Sequence, residues 1–289
     1  MSQSRAKSVS VAEVAEYFGT LVGPRVEDER IDLTRAALTI ARIEYRDLNV
    51  EHYAARMDEL AGRVRARISG LGEPGQTIAA LNTVLFEEEH FHGNAEEYYD
   101  PRNSFLNEVL DRHLGIPITL SLVYIEVARR VGFPLVGVGM PGHFLVKHYD
   151  ADGRQLLIDP YHKGQLVNSK DCQRRLDDIY SGQVPLQTEM LIAVNRRQIL
   201  TRLLNNLKAI HLLARNFRKA LPVVDMILAI YPRSPEDVKQ RAGLRYSLGQ
   251  LCGAIEDLDT YLKMSPDASD IDEIRAKALS IRISLAMRN

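Results

Sequence analysis

From Leu33 onward, apolar residues recur three and four positions apart: Leu33, Ala36, Ala37, Ile40 and Ile43 share one helical face. Tyr53, Met57, Leu60 and Val64 repeat the pattern within 50–68. Gly70, Gly72, Pro74 and Gly75 punctuate a turn, and a third helix is predicted over 77–88. The polar stretch 90–103 reads as an ordered loop. Residues 104–113 predict a short helix closed by Gly115. Pro117 opens the next helix, to about residue 131, at the position where proline costs least. Ile118, Leu120, Leu122, Val123, Ile125, Val127 and Ala128 make that helix apolar nearly all round, as in a central, buried helix. Gly132 and Pro134 end it. Three strand-like runs follow, 135–139, 143–149 and 155–159, with turn chemistry from Asp150, Asp152 and Gly153 between the last two.

Helices against a small antiparallel sheet predict an α+β domain over 31–182. Residues 1–30 form a polar leading segment, partly mobile or a short helix around 11–18. From about residue 185 the pattern is helical again, so 183–289 reads as an all-α tail. That tail repeats itself: Ala220 and Ala254, Asp225 and Asp259, Leu228 and Leu262, Pro232 and Pro266 are each 34 apart. This is the tetratricopeptide period. The match is partial, because Lys208 and Ala242 stand where the repeat's usual glycine would be. Two degenerate repeats and a closing helix over 271–287 are expected.

Composition narrows the classes. The chain has 289 residues, enough for two domains with cores of their own, and 45% hydrophobic content argues against wholesale disorder. Net charge is −1 with no basic stripe, so no nucleic-acid partner is expected. No apolar run approaches bilayer length, and residues 1–10 lack the apolar core of a secretory signal. Cys172 and Cys252, eighty positions apart, suggest neither a disulfide framework nor a zinc motif. A reduced, cytoplasmic setting fits.

The informative stretch is 103–161. If the last two strands pair about 150–153 with partner numbers summing to about 302, His143 faces Asp159 across the ladder on one sheet face. An imidazole oriented by a carboxylate is the base half of a nucleophilic triad; it is also a common structural pair. Gly142 beside it leaves room for a substrate. A thiolate nucleophile is best held at the start of a buried helix, yet no cysteine lies near residue 117. Ser121 and Thr119 are the available hydroxyls, each also readable as an ordinary helix residue.

The run NSFLNEVLDRHLGIPITLSLVYIEVARRVGFPLVGVGMPGHFLVKH resembles the SirB-type family of bacterial proteins, most specifically at GIPITLS, VARRVGFPL and PGHF. The resemblance covers about 33–180 and extends loosely to the C-terminus. It implies a transglutaminase-like core followed by tetratricopeptide repeats. The wider superfamily pattern is a helix that begins at a nucleophilic cysteine and ends at Gly-Ile-Pro, a strand with histidine, and a strand ending in Asp-Pro. Here the helix ends at Gly132-Phe133-Pro134, the histidine is His143, and Asp159-Pro160 follows. Counting back along the helix puts the cysteine position at Pro117, which has no side-chain nucleophile.

Other residues carry weaker signals. Asn103 reads as a helix cap or as a residue of the cleft mouth. Tyr161 and His162 follow Asp159 and are placed at the cleft rim. Glu126 and Arg130, an i,i+4 pair, read as structural. His148 falls on the opposite strand face from His143 and is expected to meet solvent. The Glu87–His92 run lacks HExxH spacing and reads as a solvated helix end; no metal and no cofactor is expected. The expected function is a non-catalytic transglutaminase-like module that binds a protein or peptide through its cleft or its repeat tail. The alternative is a hydrolase or acyl transferase using Ser121 or Thr119 with His143 and Asp159. A structural scaffold with a filled cleft is the third reading.

Overall fold

A computed structural model describes residues 9–68, 73–150 and 152–287. Residues 1–8, Gly70 and Gly72 of the expected turn, and residue 151 lie outside them. The chain forms two compact units. One comprises residues 28–203, the other 1–27 with 204–289.

The first unit is built around a buried helix. Helix α1 (Val11–Val22) precedes it in the chain; α2 (Leu33–Ala41), α3 (Val50–Arg65) and α4 (Pro74–Asn82) lead into it, the last continuing as a π-helical stretch over Thr83–Glu88. Strands β1 (His92–Gly93) and β2 (Leu114–Gly115) pair in parallel on either side of α5 (Leu106–Arg112). Gly115 therefore belongs to a strand pair. The residue that stops α5 is His113, in the left-handed conformation with φ 57°. Helix α6 (Pro117–Arg130) then runs through the core, with every side chain from Pro117 to Ala128 buried. Each Leu or Val so placed is worth about 1.5–3 kcal/mol relative to exposure.

Strands β3 (Val136–Val138), β4 (Leu145–Tyr149), β5 (Gln155–Asp159), β6 (Gln165–Val167) and β7 (Ala193–Val194) form an antiparallel sheet ordered β6-β5-β4-β3-β7. The β4–β5 turn is held by Asp150, whose Oδ1 accepts from Asp152 N and Arg154 N. Helix α6 packs against β3 and β4. Cys172 and Leu176 of α7 (Ser169–Tyr180) pack against Val138, Met140 and Leu145 of the sheet. No helix is predicted over 169–180: only Cys172, Leu176 and the half-exposed Ile179 mark a helical face, in an otherwise mostly polar run. Both cysteines are free thiols, Cys172 buried and Cys252 exposed.

The second unit contains α1 and the helices α9 (Phe217–Ile230), α10 (Pro235–Ser247), α11 (Leu251–Met264) and α12 (Ile271–Ala286), together with the later part of α8 (Arg196–Leu213). Helix α1 is capped by Ser10 and Glu13 in a reciprocal capping box and packs on α9. It is thus an integral helix of this unit and not a loose leading segment. The 34-residue repeat has a physical counterpart. Ala220 and Ala254 are both fully buried, and the repeat-related aspartates each hold an arginine: Asp225 pairs with Arg241 and Asp259 with Arg282. No described helix is long and apolar enough to cross a membrane.

Candidate functional site

The β4–β5 register places Val146 opposite Ile158 and Lys147 opposite Leu157, two residues away from the expected pairing. His143 accordingly lies beyond the end of β4 and not across from Asp159. A two-residue slip preserves the face, and the side chains still meet: His143 Nε2 lies 2.8 Å from Asp159 Oδ2. Both are buried. No described group bonds His143 Nδ1, the other ring nitrogen.

Asp159 is held by more than a histidine. Its Oδ2 also lies 2.8 Å from His162 Nδ1 and 2.7 Å from Arg175 Nε, while its Oδ1 accepts from Tyr161 N and His162 N. Burial pushes the carboxyl up. The hydrogen bonds and charge of His143 and His162 outweigh this and hold it well below the usual carboxylate range. Arg175 comes from α7, so the missed helix supplies one member of the cluster.

The surrounding backbone is tightly fitted. Arg202 Nη2 donates to the carbonyls of Met140 and His143, each at 2.7 Å, and its guanidinium lies over the Phe144 ring. It fixes the loop that carries the histidine. Gly142 in that loop has φ 69°, and a Cβ there would come within 2.9 Å of Ile179. After Asp159, Asn82 Nδ2 donates to Gly164 O and accepts from the buried Tyr124 hydroxyl through Oδ1. A Cβ on Gly93 would sit 2.3 Å from the Tyr161 ring, so glycine lets β1 press Tyr161 toward the histidine. The Tyr161 and His143 rings meet edge to face at 5.9 Å.

These side chains border a cleft of about 810 Å³. Pro117, Gly142, His143, Tyr161 and His162 all line it, as do Arg175 and Ile179. Ser121, Thr119 and Asn103 do not. Ser121 Oγ is fully buried and donates to Phe144 O at 3.3 Å. Thr119 Oγ1 accepts from Ile116 N and donates to Asn103 O, tying off the first turn of α6. Asn103 neither caps a helix nor reaches the cleft; its amide donates to Glu97 O and Tyr98 O and anchors the loop that carries Tyr98 and Tyr99. Cys172 does not replace the absent thiol, because it is fully buried and burial pushes its thiol up.

Two residues change character between sequence and structure. His148 is buried, stacked on Phe133 at 4.0 Å with Nδ1 3.1 Å from Pro134 O. The expected solvent face is covered by the chain leaving α6. Glu126 accepts from Thr34, Arg129 and Arg130, a larger ion cluster than a single pair. Arg175 and Arg202 carried no sequence signal, since nothing local links them to residues 143 or 159.

A helix start, a histidine and an aspartate meeting beside an antiparallel sheet define a transglutaminase-like domain. Residues 51–205 match the transglutaminase-like superfamily model, and residues 207–278 match a tetratricopeptide-repeat model. Within that superfamily the chain belongs to the SirB-type family, which includes the UPF0162 proteins. A UPF0162 protein of Xylella fastidiosa (strain 9a5c) is 37% identical, covering 89% of this chain and 92% of that protein. Protein SirB1 of Salmonella typhimurium is 23% identical, covering 78% and 83%. F-box only protein 21 of Homo sapiens is 31% identical, covering 60% of this chain and 28% of that protein. A solved structure of menin is similar at a TM-score of 0.43 and 11% identity, covering 93% of this chain and 74% of that one.

Proposed function

We propose that this protein is a non-catalytic transglutaminase-like binding module whose cleft receives a peptide segment of a protein partner, with the repeats as a second interaction surface. A single observation carries the reading. Where the superfamily has its cysteine, Pro117 lines the cleft beside an otherwise assembled histidine and aspartate. Acyl transfer needs a nucleophile within reach of the base. Ser121 is committed to a backbone carbonyl away from the cleft wall, and Thr119 is committed to the first turn of α6. The cleft's own hydroxyls are tyrosines; those of Tyr98 and Tyr161 are pushed up, by burial first and by neighbouring charge second. The rim suits side-chain docking: Tyr99 is 70% exposed, Leu166 58% and Ile179 46%, around a charged floor. Tetratricopeptide repeats generally serve as protein-binding surfaces.

A serine-directed fluorophosphonate tests the chemical half. Full-length protein should stay unlabelled, and labelling that disappears in Ser121→Ala overturns the reading in favour of a hydroxyl-dependent hydrolase. Peptide display on the intact protein tests the other half. Captured peptides should lose binding in Leu166→Asp and Tyr99→Ala, both at exposed positions. Binding indifferent to both changes removes the cleft as the docking site.

A further inference from the structure

The Asp159 cluster has a feature that binding of a peptide does not use. Three N–H-bearing groups, His143 Nε2, His162 Nδ1 and Arg175 Nε, converge on one oxygen, Asp159 Oδ2, at 2.8, 2.8 and 2.7 Å. A carboxylate oxygen has two lone pairs, so the oxygen is over-subscribed with donors. Two imidazole nitrogens aimed at one carboxylate oxygen are also the donor set of a transition-metal site. Among the described residues, His143, Asp159 and His162 are the one group of three such side chains whose ligand atoms lie within 4.8 Å of one another.

We infer that His143 Nε2, His162 Nδ1 and Asp159 Oδ2 form a three-ligand site for a divalent transition-metal ion on the wall of the cleft. Ligand chemistry selects the class. Two imidazoles and one carboxylate suit zinc, cobalt or nickel in preference to magnesium or calcium, which take all-oxygen sets. Tetrahedral zinc with ligand atoms at 2.0–2.2 Å holds its donors roughly 3.3 Å apart. Both histidine nitrogens lie 2.8 Å from Asp159 Oδ2, so reaching that spacing takes a side-chain shift of roughly 0.5 Å at each; His162, whose side chain is 46% exposed, has the more room to move. The same exposure gives the ion an entry path from the cleft. Asp159 and His143 are held by the sheet end and by Arg202, so two of the three ligands are already placed.

Arg175 is the built-in competitor. In the ion-free protein its guanidinium supplies the positive charge beside Asp159 Oδ2. An entering ion must displace it, and Nη1 already has a second acceptor in Asp171 O at 3.3 Å. Removing the guanidinium charge should therefore strengthen ion binding, whereas removing a ligand should weaken it. The site goes beyond the peptide-binding reading but shares its cleft: a three-ligand ion keeps a coordination position open, which a donor side chain of the bound segment can fill.

Cobalt(II) titration of chelator-treated, full-length protein tests this, read by visible absorption and by displacement with zinc. One equivalent should bind. His162→Ala, an exposed position that leaves the fold intact, should weaken binding at least about tenfold, and His143→Gln should do the same. Arg175→Gln should tighten it, and His92→Ala, an exposed histidine elsewhere, should leave it unchanged. No stoichiometric binding by wild-type protein, or binding that persists undiminished in His162→Ala, overturns the inference. Either result leaves the peptide-binding reading standing, since that reading rests on fluorophosphonate labelling and peptide capture.

Discussion

Two buried carboxylates lie in the same unit, and the difference between their surroundings separates chemistry from scaffolding. Glu126 is held by Thr34, Arg129 and Arg130. Asp159 is held by two histidines, an arginine and two backbone amides. In both, burial raises the carboxyl and its partners more than reverse the effect, so both stay ionised far into acid. The partners differ in kind. Arginine offers only donors and keeps its proton, so the Glu126 cluster can hold α6 to α2 and do little else. Histidine has a second ring nitrogen, and that of His143 is left free at the cleft wall. Ion pairing alone therefore does not mark a site. What marks it is a partner with a remaining valence that faces open space.

The largest expected effect is at Asp159. Asp159→Asn puts an N–H donor where five donors already converge and removes the carboxylate charge beside Arg175, which keeps only the Asp171 carbonyl. Removing one partner of a buried pair costs about 3–5 kcal/mol, measurable as a fall in the denaturant midpoint. Glu126→Gln should cost less, about 1–3 kcal/mol, because Arg130 retains Asp58 and the Glu126 carbonyl and Arg129 is substantially exposed. Equal losses would erase the distinction between the two clusters.

Pro117→Cys sharpens the comparison from the chemical side. A thiol at the start of α6, on the cleft wall that also carries His143, should be alkylated by iodoacetamide at neutral pH about tenfold faster than exposed Cys252. A rate no higher than that of Cys252 would show that the histidine does not reach the helix start. The corresponding change at the other cluster, Arg129→Cys, should give no such acceleration.

Acid gives the smallest separation. Both carboxyls lie lower in the folded protein than in the unfolded chain. Their stabilisation is complete above about pH 4, the ordinary carboxylate range, and drains away as pH falls below it. Asp159→Asn and Glu126→Gln should each flatten the loss of stability between about pH 4 and pH 2. A variant as steep as wild type in that window would show that its carboxyl is not held low.

Periodicity was enough for the local elements with a strong apolar signature. The all-round apolar face of 117–130 announced a buried helix, Pro117 announced its start, and the 34-residue spacing announced the repeats. The spacing of His143 and Asp159 about the β4–β5 turn made their meeting legible even with the register two residues off and His143 beyond the end of β4, since a slip of two keeps the face. Polar elements were less legible. Helix α7 shows a helical face only through Cys172, Leu176 and Ile179, and the Arg175 it carries could not be foreseen. His148 looked solvent-facing because strand alternation says which side a residue is on, not what covers that side.

Sequence by itself was enough for the transglutaminase-like core and for Pro117 at the start of its buried helix, because a motif and one proline at one helix start are local facts. Tertiary structure alone decided what surrounds that helix start. It committed Ser121 to a carbonyl, turned Asn103 inward to tie a loop, and brought Arg175 and His162 onto the oxygen that also meets His143. Those outcomes depend on contacts between residues far apart in the chain, and such contacts are set by packing and hydrogen-bond satisfaction over the whole domain, not by any short-range pattern.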